Sequence, residues 1–301
     1  MNSKFVKHSE NKHVSRVITA FDALKDLSES YITKPDGVFG AVAKVKCGGV
    51  TIDSEELDVE FSVPFDDDLE PNEAEIIIYN LTDDTINQFK KKAELTIEAG
   101  YTGDTGVIFK GFIDRKQTVF EGADKRTTIK CFDDVSKKTL ESISYAAGTK
   151  ASYILKDLLG RTGLPIAVFK MRRDHTYENE VTVDGDLMPN IKKYSEVCGV
   201  STYVLKGKVY SRYIKEGDNI NFEVSEETGM IGSPSEYEEE ITAEDFKETV
   251  KGYEIEMLLQ HRMQTAAIVN VKSMVTKGEY RVRSGEHRFN NGEAITKIKV
   301  M

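Results

Sequence analysis

The sequence predicts an α+β fold, mainly β, and three observations carry that reading. Apolar residues alternate with polar ones at Leu57, Val59, Phe61 and Val63, again at Ala74, Ile76 and Ile78, and again at Leu95, Ile97 and Ala99. That period of two belongs to half-buried strands. Two other stretches, Val14 to Leu27 and Ile154 to Leu159, space their apolar residues three and four apart instead, as one face of a helix requires. Finally, LTIEAGY, GVIFKGFI and TTIKCF are echoed near the C-terminus by AIVNVKS, GEYRVRSGEH and TKIKV. Both sets run strand, glycine turn, strand with a central glycine, strand, with Gly111 and Gly285 in corresponding places.

Taken in order, residues 1–37 form an N-terminal helical arm. Val14, Val17, Ile18, Phe21 and Leu24 fall on one helical stripe, continued by Leu27, and Pro35 and Gly37 end it. The stripe either lies on its own domain or docks on another chain. Residues 38–135 hold the first strands, with a short helix between IIIYN and AELTIEAGY. Thr82 is its N-cap, Asp83 and Asp84 occupy its first turn, and Ile86 and Phe89 face inward. VIFKGFIDRKQTVF and RTTIKCF add two strands, which suggests a barrel or sandwich. Residues 136–235 are an α+β unit. Its first helix carries Ile154, Leu155, Leu158 and Leu159 and stops at Gly163 and Pro165. Its second spans MPNIKKYSEVCGV, with Pro189 early, where a missing amide is harmless, and Gly199 at its end. STYVLKGKVYSRY then reads as a hairpin turning at Gly207. In residues 236–301 the acidic stretch EYEEEITAEDF leads into the strands YEIEMLL, AAIVNVKS, GEYRVRSGEH and AITKIKV.

Composition and motifs exclude more chemistry than they suggest. Of 301 residues, 41 are Lys or Arg and 51 Asp or Glu, a formal net charge of −10, which is poorly suited to gripping a phosphate backbone. No apolar stretch approaches the ~20 residues that cross a bilayer. The start, MNSKFVKHSENKHVSRV, lacks a signal-peptide core, so the expected site of synthesis is a cytosol. Cys47, Cys131 and Cys198 are far apart with no CxxC, and are expected to be buried thiols. GYTGDTG lacks the Lys-Ser/Thr of a phosphate loop and reads as a hairpin turn. His8, His13, His175, His261 and His287 form no metal-binding spacing. Asp184 and Asp186 lack the later ligands of a calcium loop, and no G-x-S-x-G elbow occurs. The runs DDDLE (66–70) and EYEEE (236–240) read as solvated loops, although a glycosidase pair needs only to meet in space. The absence of Trp weakens a sugar-binding reading. KMRRDH (170–175) reads as a loop or rim. The expectation is a protein with no catalytic residue, no metal and no cofactor.

One stretch goes further. Residues 72–113, NEAEIIIYNLTDDTINQFKKKAELTIEAGYTGDTGVIFKGFI, resemble the first tube-like domain of phage baseplate hub proteins. These are the late control protein D type, including the XkdQ-like hubs of prophages and phage-tail-like bacteriocins. The matching elements are Ile78-Tyr79-Asn80-Leu81, the helix after them, and Ala99-Gly100-Tyr101 followed by Gly103, Gly106, Phe109 and Gly111. Residues 252–287 resemble the end of those hubs, whereas the first 36 residues depart from the pattern. The resemblance implies two small tube-like β-barrel domains, 38–135 and 236–301, with the α+β domain between them. It also implies a structural homotrimer, made in the bacterial host cytoplasm and assembled into a virion tail or tail-like particle. Three chains would present six similar barrels, joining a six-fold tail tube to a three-fold spike and lining the central channel. Its partners would then be itself, the tail tube protein, the spike protein and other baseplate proteins, with no membrane and with DNA only as transient cargo. The alternatives are a receptor- or carbohydrate-binding tail module and a cell-wall hydrolase.

In such a channel, carboxylates would repel a passing polyanion over a Debye length of ~8 Å. Asp66, Asp67, Asp68, Glu70, Glu73, Glu238, Glu239 and Glu240 are the candidate channel-lining acids, and Val14, Val17, Ile18, Phe21 and Leu24 the candidate docking arm. Deleting residues 1–36 is expected to leave the chain folded, by circular dichroism, while impairing particle assembly.

Overall fold

The computed structural model describes residues 40–133, 139–243, 246–290 and 293–301, with backbone alone at 240–243 and 246–248. The stripe from Val14 to Leu24 lies outside the described residues. The protein is mostly β. Its N-terminal strands are β1 (Ala41–Cys47), β2 (Val50–Asp53), β3 (Val59–Phe65), β4 (Glu73–Tyr79), β5 (Glu94–Tyr101), β6 (Asp104–Glu121) and β7 (Asp124–Phe132), with α1 (Asp83–Gln88) between β4 and β5. The C-terminal strands are β13 (Asp218–Val224), β14 (Met230–Ala243), β15 (Phe246–Leu258), β16 (Ala267–Lys272), β17 (Lys277–Asn290) and β18 (Glu293–Val300).

Alternation in the sequence becomes alternation in burial. In β3, Val59, Phe61, Val63 and Phe65 are buried while the residues between them are half-exposed. Thr82 caps α1 by accepting a hydrogen bond from the Thr85 amide, and Phe89 just beyond the helix is fully buried. The N-terminal strands pair in the order β3-β4-β7-β6-β5-β1, and the C-terminal ones in the order β14-β15-β18-β17, continuing through β16 to β13. With β2, which extends the path beyond β1, left aside, these two orders are the same when read by chain position within each set. They differ in one direction: β1 runs antiparallel to β5, whereas β13 runs parallel to β16.

The two sets are spliced through β17. Its first half, Lys277–Arg281, pairs with β16. Beyond a register shift between Val282 and Ser284, its second half pairs with β18 on one side and with β3 on the other, from Gly285 opposite Phe65 to Phe289 opposite Phe61. One path of hydrogen-bonded strands therefore runs β14-β15-β18-β17-β3-β4-β7-β6-β5-β1-β2. At the splice the Phe61 and Phe289 rings stack with centroids 5.3 Å apart, a geometry worth about 0.5–1.5 kcal/mol beyond the area buried. His287 is buried beside Phe65 and hydrogen-bonded to the Thr296 hydroxyl and the Met263 carbonyl. Burial, helped by the Lys206 charge, pushes its pKa down to about 3, so the ring is neutral.

A second tie joins the sets. Arg262, in the β15–β16 connection, donates to both oxygens of Asp104 at 2.6 Å, and His261 bonds the same carboxylate at 3.0 Å. The fork of donors from Arg262 holds the Asp104 carboxyl well below the usual carboxylate range.

The middle unit packs α2 (Ala151–Thr162) and α3 (Leu187–Cys198) with β8 (Thr139–Tyr145), β9 (Ile166–Phe169), β10 (Val181–Asp186), β11 (Ser201–Leu205) and β12 (Lys208–Arg212). Ile154, Leu155, Leu158 and Leu159 are all fully buried, as their spacing predicts. Lys206 and Gly207 both have positive φ, 49° and 73°, the twisted two-residue turn that hairpins favour. Arg173, from the basic stretch, donates to the Val197 and Glu196 carbonyls at the C-terminus of α3, where a cation offsets the helix dipole. All three cysteines are buried and unpaired.

One expectation needs adjusting. The EYEEE run is not a loop: residues 236–240 lie inside β14, paired with 249–253 of β15. Residue 235 likewise falls within β14, and β13, earlier still, pairs with β16. The cause is alternation hidden by charge, since a strand with few apolar residues carries no hydrophobic period.

Gly285 and Gly111 hold corresponding places for a shared reason. A Cβ on Gly285 would lie 2.5 Å from the Phe65 ring and closer still to the Lys297 carbonyl oxygen; one on Gly111 would meet the Phe109 ring at 2.5 Å and the Phe132 carbonyl oxygen more closely. G285A is expected to destabilise the protein by about 1–3 kcal/mol in urea unfolding. G160A, on the exposed side of α2 with open space around it, is expected to stabilise it by about 0.5–1 kcal/mol.

Candidate functional site

The segment Asp66–Glu70 leaves β3 at the splice, and its three aspartates differ sharply. Asp67 is buried and paired with Arg281 at 2.7 Å and Arg283 at 3.4 Å. Arg281, itself buried, also donates from Nε to the Glu216 carbonyl, and Arg283 reaches Glu239 at 2.7 Å. The backbone is held from two sides, the Asp67 carbonyl by Ser201 of the middle unit and the Asp66 carbonyl by Thr265. Burial, reinforced by the charge of Asp68, pushes the Asp66 carboxyl up to about 6. Asp68 and Glu70 are exposed, with local turns in which their amides bond the Asp66 and Asp68 carboxylates.

The eight candidate acids are therefore not gathered into one acidic wall. Asp67 turns inward between two arginines and cannot face a channel. Glu73 is bonded by Lys130 at 2.6 Å, Glu238 by Lys251 at 2.5 Å, and Glu239 by Arg283. Glu240 lies in β14, and only its backbone is described. Asp68 and Glu70 alone among the described members are exposed and outside any ion pair.

What the structure assembles instead is the polar face of the spliced sheet. Directly opposed residues of antiparallel strands share a face. The face opposite the core carries Lys44 with Asp53 (3.0 Å), Lys46 with Glu98 (2.7 Å) and Lys110 with Glu94 (3.1 Å). It continues through Lys130 with Glu73 and Glu75, then Ser62, which donates to Glu286 at 2.6 Å across the splice. Beyond it come Arg288 with Glu286 (2.7 Å), Lys297 with Glu256 (2.8 Å) and Lys299 with Glu254 (3.0 Å). At Glu286, burial raises the carboxyl's pKa, but the hydrogen bonds from Arg288 and Ser62 outweigh it and hold the group below its ordinary value. Around the splice this face is concave. A trough of about 580 Å³ crosses β14, β15, β18, β17 and β3, and Pro64, Ile231, Glu254, Glu256, Glu286 and Lys297 are among its walls.

Reading charges singly along the chain misses this arrangement, because each carboxylate's partner sits on another strand. The signal was present as Glu254-Ile-Glu256 against Lys297-Ile-Lys299, two charge alternations of opposite sign interleaved with buried residues. Among the described residues, no three of His, Cys, Asp and Glu are grouped to hold a metal ion, and no helix is long and apolar enough to cross a membrane.

The architecture is that of phage tail proteins and their relatives. The 43 kDa tail protein of prophage MuSo2 from Shewanella oneidensis superposes with a TM-score of 0.60 at 9% identity, over 86% of this chain and 97% of that one. The tail protein of Neisseria meningitidis MC58 gives 0.60 at 9%, over 87% and 96%. The E. coli c3393 protein, described as a type VI secretion component similar in structure to T4 tail proteins gp27 and gp5, gives 0.59 at 10%, over 86% and 76%. At such identities the likeness is one of fold. No curated protein matches the sequence. Residues 70–283 match the family model of the baseplate hub gp41. The chain belongs to that baseplate hub family, and its role is a structural one in a tail.

Asp66 gives this region a pH signature. Its carboxyl is raised from an ordinary 3.8 to about 6 in the folded state, so its contribution to stability is full below the unfolded pKa and is lost as pH rises through 6. D66N is therefore expected to be more stable than the natural protein at pH 7, by about 1–2 kcal/mol after solvent screening. The two should converge by about pH 4 in urea titrations.

Proposed function

We propose that the chain is the non-catalytic hub of a tail baseplate, assembling as a homotrimer that joins a six-fold tail tube to a three-fold spike and lines the central channel. The observation that carries this reading is the duplicated strand order. Two sets of strands with one order, spliced into a single sheet, give each chain two similar tube-like β units, and three chains then present six. A ring of six meets a hexameric tube with one unit per subunit, while the chain count stays three for the spike below.

The concave polar face is the surface offered to the channel in this reading. The tail tube protein, the spike protein and other baseplate proteins are the proposed partners, with the arm carrying Val14, Val17, Ile18, Phe21 and Leu24 docking on one of them. DNA passes only as cargo. The edge of β14, which ends the strand path, is a surface that assembly would cover, since long unpaired edges invite pairing with another chain.

A cryo-EM map of the assembled particle tests the proposal. Three copies of this chain in one ring, with six β units facing the tube, is the expected result. Six copies in the ring would overturn it. For the non-catalytic reading, the purified chain is expected to release nothing from peptidoglycan. Cleavage abolished by a single Asp or Glu substitution would establish a hydrolase instead.

A further inference from the structure

We infer that the lining face repels no cargo by excess negative charge but withholds its lysines, each of which is engaged by a carboxylate on a neighbouring strand. The inference rests on the channel reading above and names the interaction of that surface with a duplex nucleic acid. DNA binds proteins non-specifically by exchanging condensed counterions for Lys and Arg. A face studded with Lys44, Lys46, Lys110, Lys130, Lys297 and Lys299 would be adhesive if those groups were free. None is: each lies within 3.1 Å of a carboxylate oxygen. A phosphate approaching Lys297 must displace Glu256, and one approaching Lys299 must displace Glu254. The exchange then gains little and leaves a carboxylate facing the phosphates.

The pairing is set by register and not by chance proximity. Glu256 opposes Lys297 and Glu254 opposes Lys299 in the β15–β18 ladder, and Glu286 opposes Lys297 from β17. On that stretch Lys297 is flanked by acids on both neighbouring strands, and Lys299 by Glu254 on one side and Ser284 on the other. The same sheet that supplies the wall thus supplies the compensation, and no acidic excess is required. This replaces the acidic-wall expectation with a neutral ladder, of which the Glu73–Lys130 pair is a part.

The test uses the purified full-length chain and a fluorescent DNA duplex, read by anisotropy against salt. The natural protein is expected to show no binding at 50 mM salt. E254Q/E256Q/E286Q uncovers Lys297, Lys299 and Arg288. With about 0.9 counterion released per cation, the log–log salt slope should be near −2.7, so that binding weakens roughly 40-fold between 50 and 200 mM. Adding K297Q/K299Q to that variant should remove most of the binding, and a matching thermal melt checks that the fold is retained. If the triple variant does not fold, E254Q/E256Q serves, with a slope of about −1.8. As a charge-matched control, E178Q/E180Q/E226Q removes three exposed carboxylates elsewhere and is expected to bind no DNA. Three results would overturn the inference: binding by the natural protein equal to that of the triple variant, no binding by a folded triple variant, or equal binding by the control. The last would show that net charge, not pairing, keeps DNA away. These outcomes are independent of ring symmetry. In the particle map, a three-fold hub with this face on its outside would overturn the cargo role and leave the hub reading standing, whereas six copies would remove the hub reading without touching the binding data.

Discussion

The pairing of β3 with β17 is the contact on which the rest of the structure depends. Without it the chain would hold two separate sets of strands, each ending in an open edge, and the polar face would be interrupted midway. With it, five opposed residue pairs make one sheet of two. The pairing is feasible because β17 is long enough to serve two neighbours in turn, and because Gly285 leaves the space that the far end of the Phe65 ring occupies. The aromatic rings at the splice then exclude water from the ladder, which strengthens its hydrogen bonds relative to an exposed edge.

Much of the fold was legible before any coordinates. Strands with one buried face announced themselves by alternation, as in β3 and β5, the first helix of the middle unit by its stripe and terminal Gly163, and the second by Pro189 and Gly199. The N-cap at Thr82 and the turn at Gly207 followed from local stereochemistry alone. What alternation could not reveal was β14, whose 236–240 segment is nearly all charged, so that acidity masked its strand character. The splice was also invisible, because which strand pairs with which over more than 200 residues of separation is a tertiary outcome and not a local preference.

The polar surface was harder to read than the core for a related reason. Hydrophobic burial depends on a residue's own character, whereas the meaning of a charge depends on what stands across from it. Asp66, Asp67 and Asp68 are three identical side chains in a row, yet one has its carboxyl pushed up to about 6, one is locked between two arginines, and one is exposed to water. Sequence treats them as a single acidic run. The difference comes from Arg281 and Arg283 on β17, which the splice brings to Asp67.

The duplicated strand order also has a mechanical side. Two copies of a unit joined by a flexible linker can tilt independently, each finding its own best seat on whatever lies against it. Here the copies share a continuous strand, and any rotation of one against the other must break ladder hydrogen bonds between β3 and β17 together with the Asp104–Arg262 clamp. The pair moves as a single stiff plate. A stress applied at one unit is handed to the other through several parallel hydrogen bonds loaded in shear, so the angle between neighbouring seats is a fixed property of the chain and not of its surroundings.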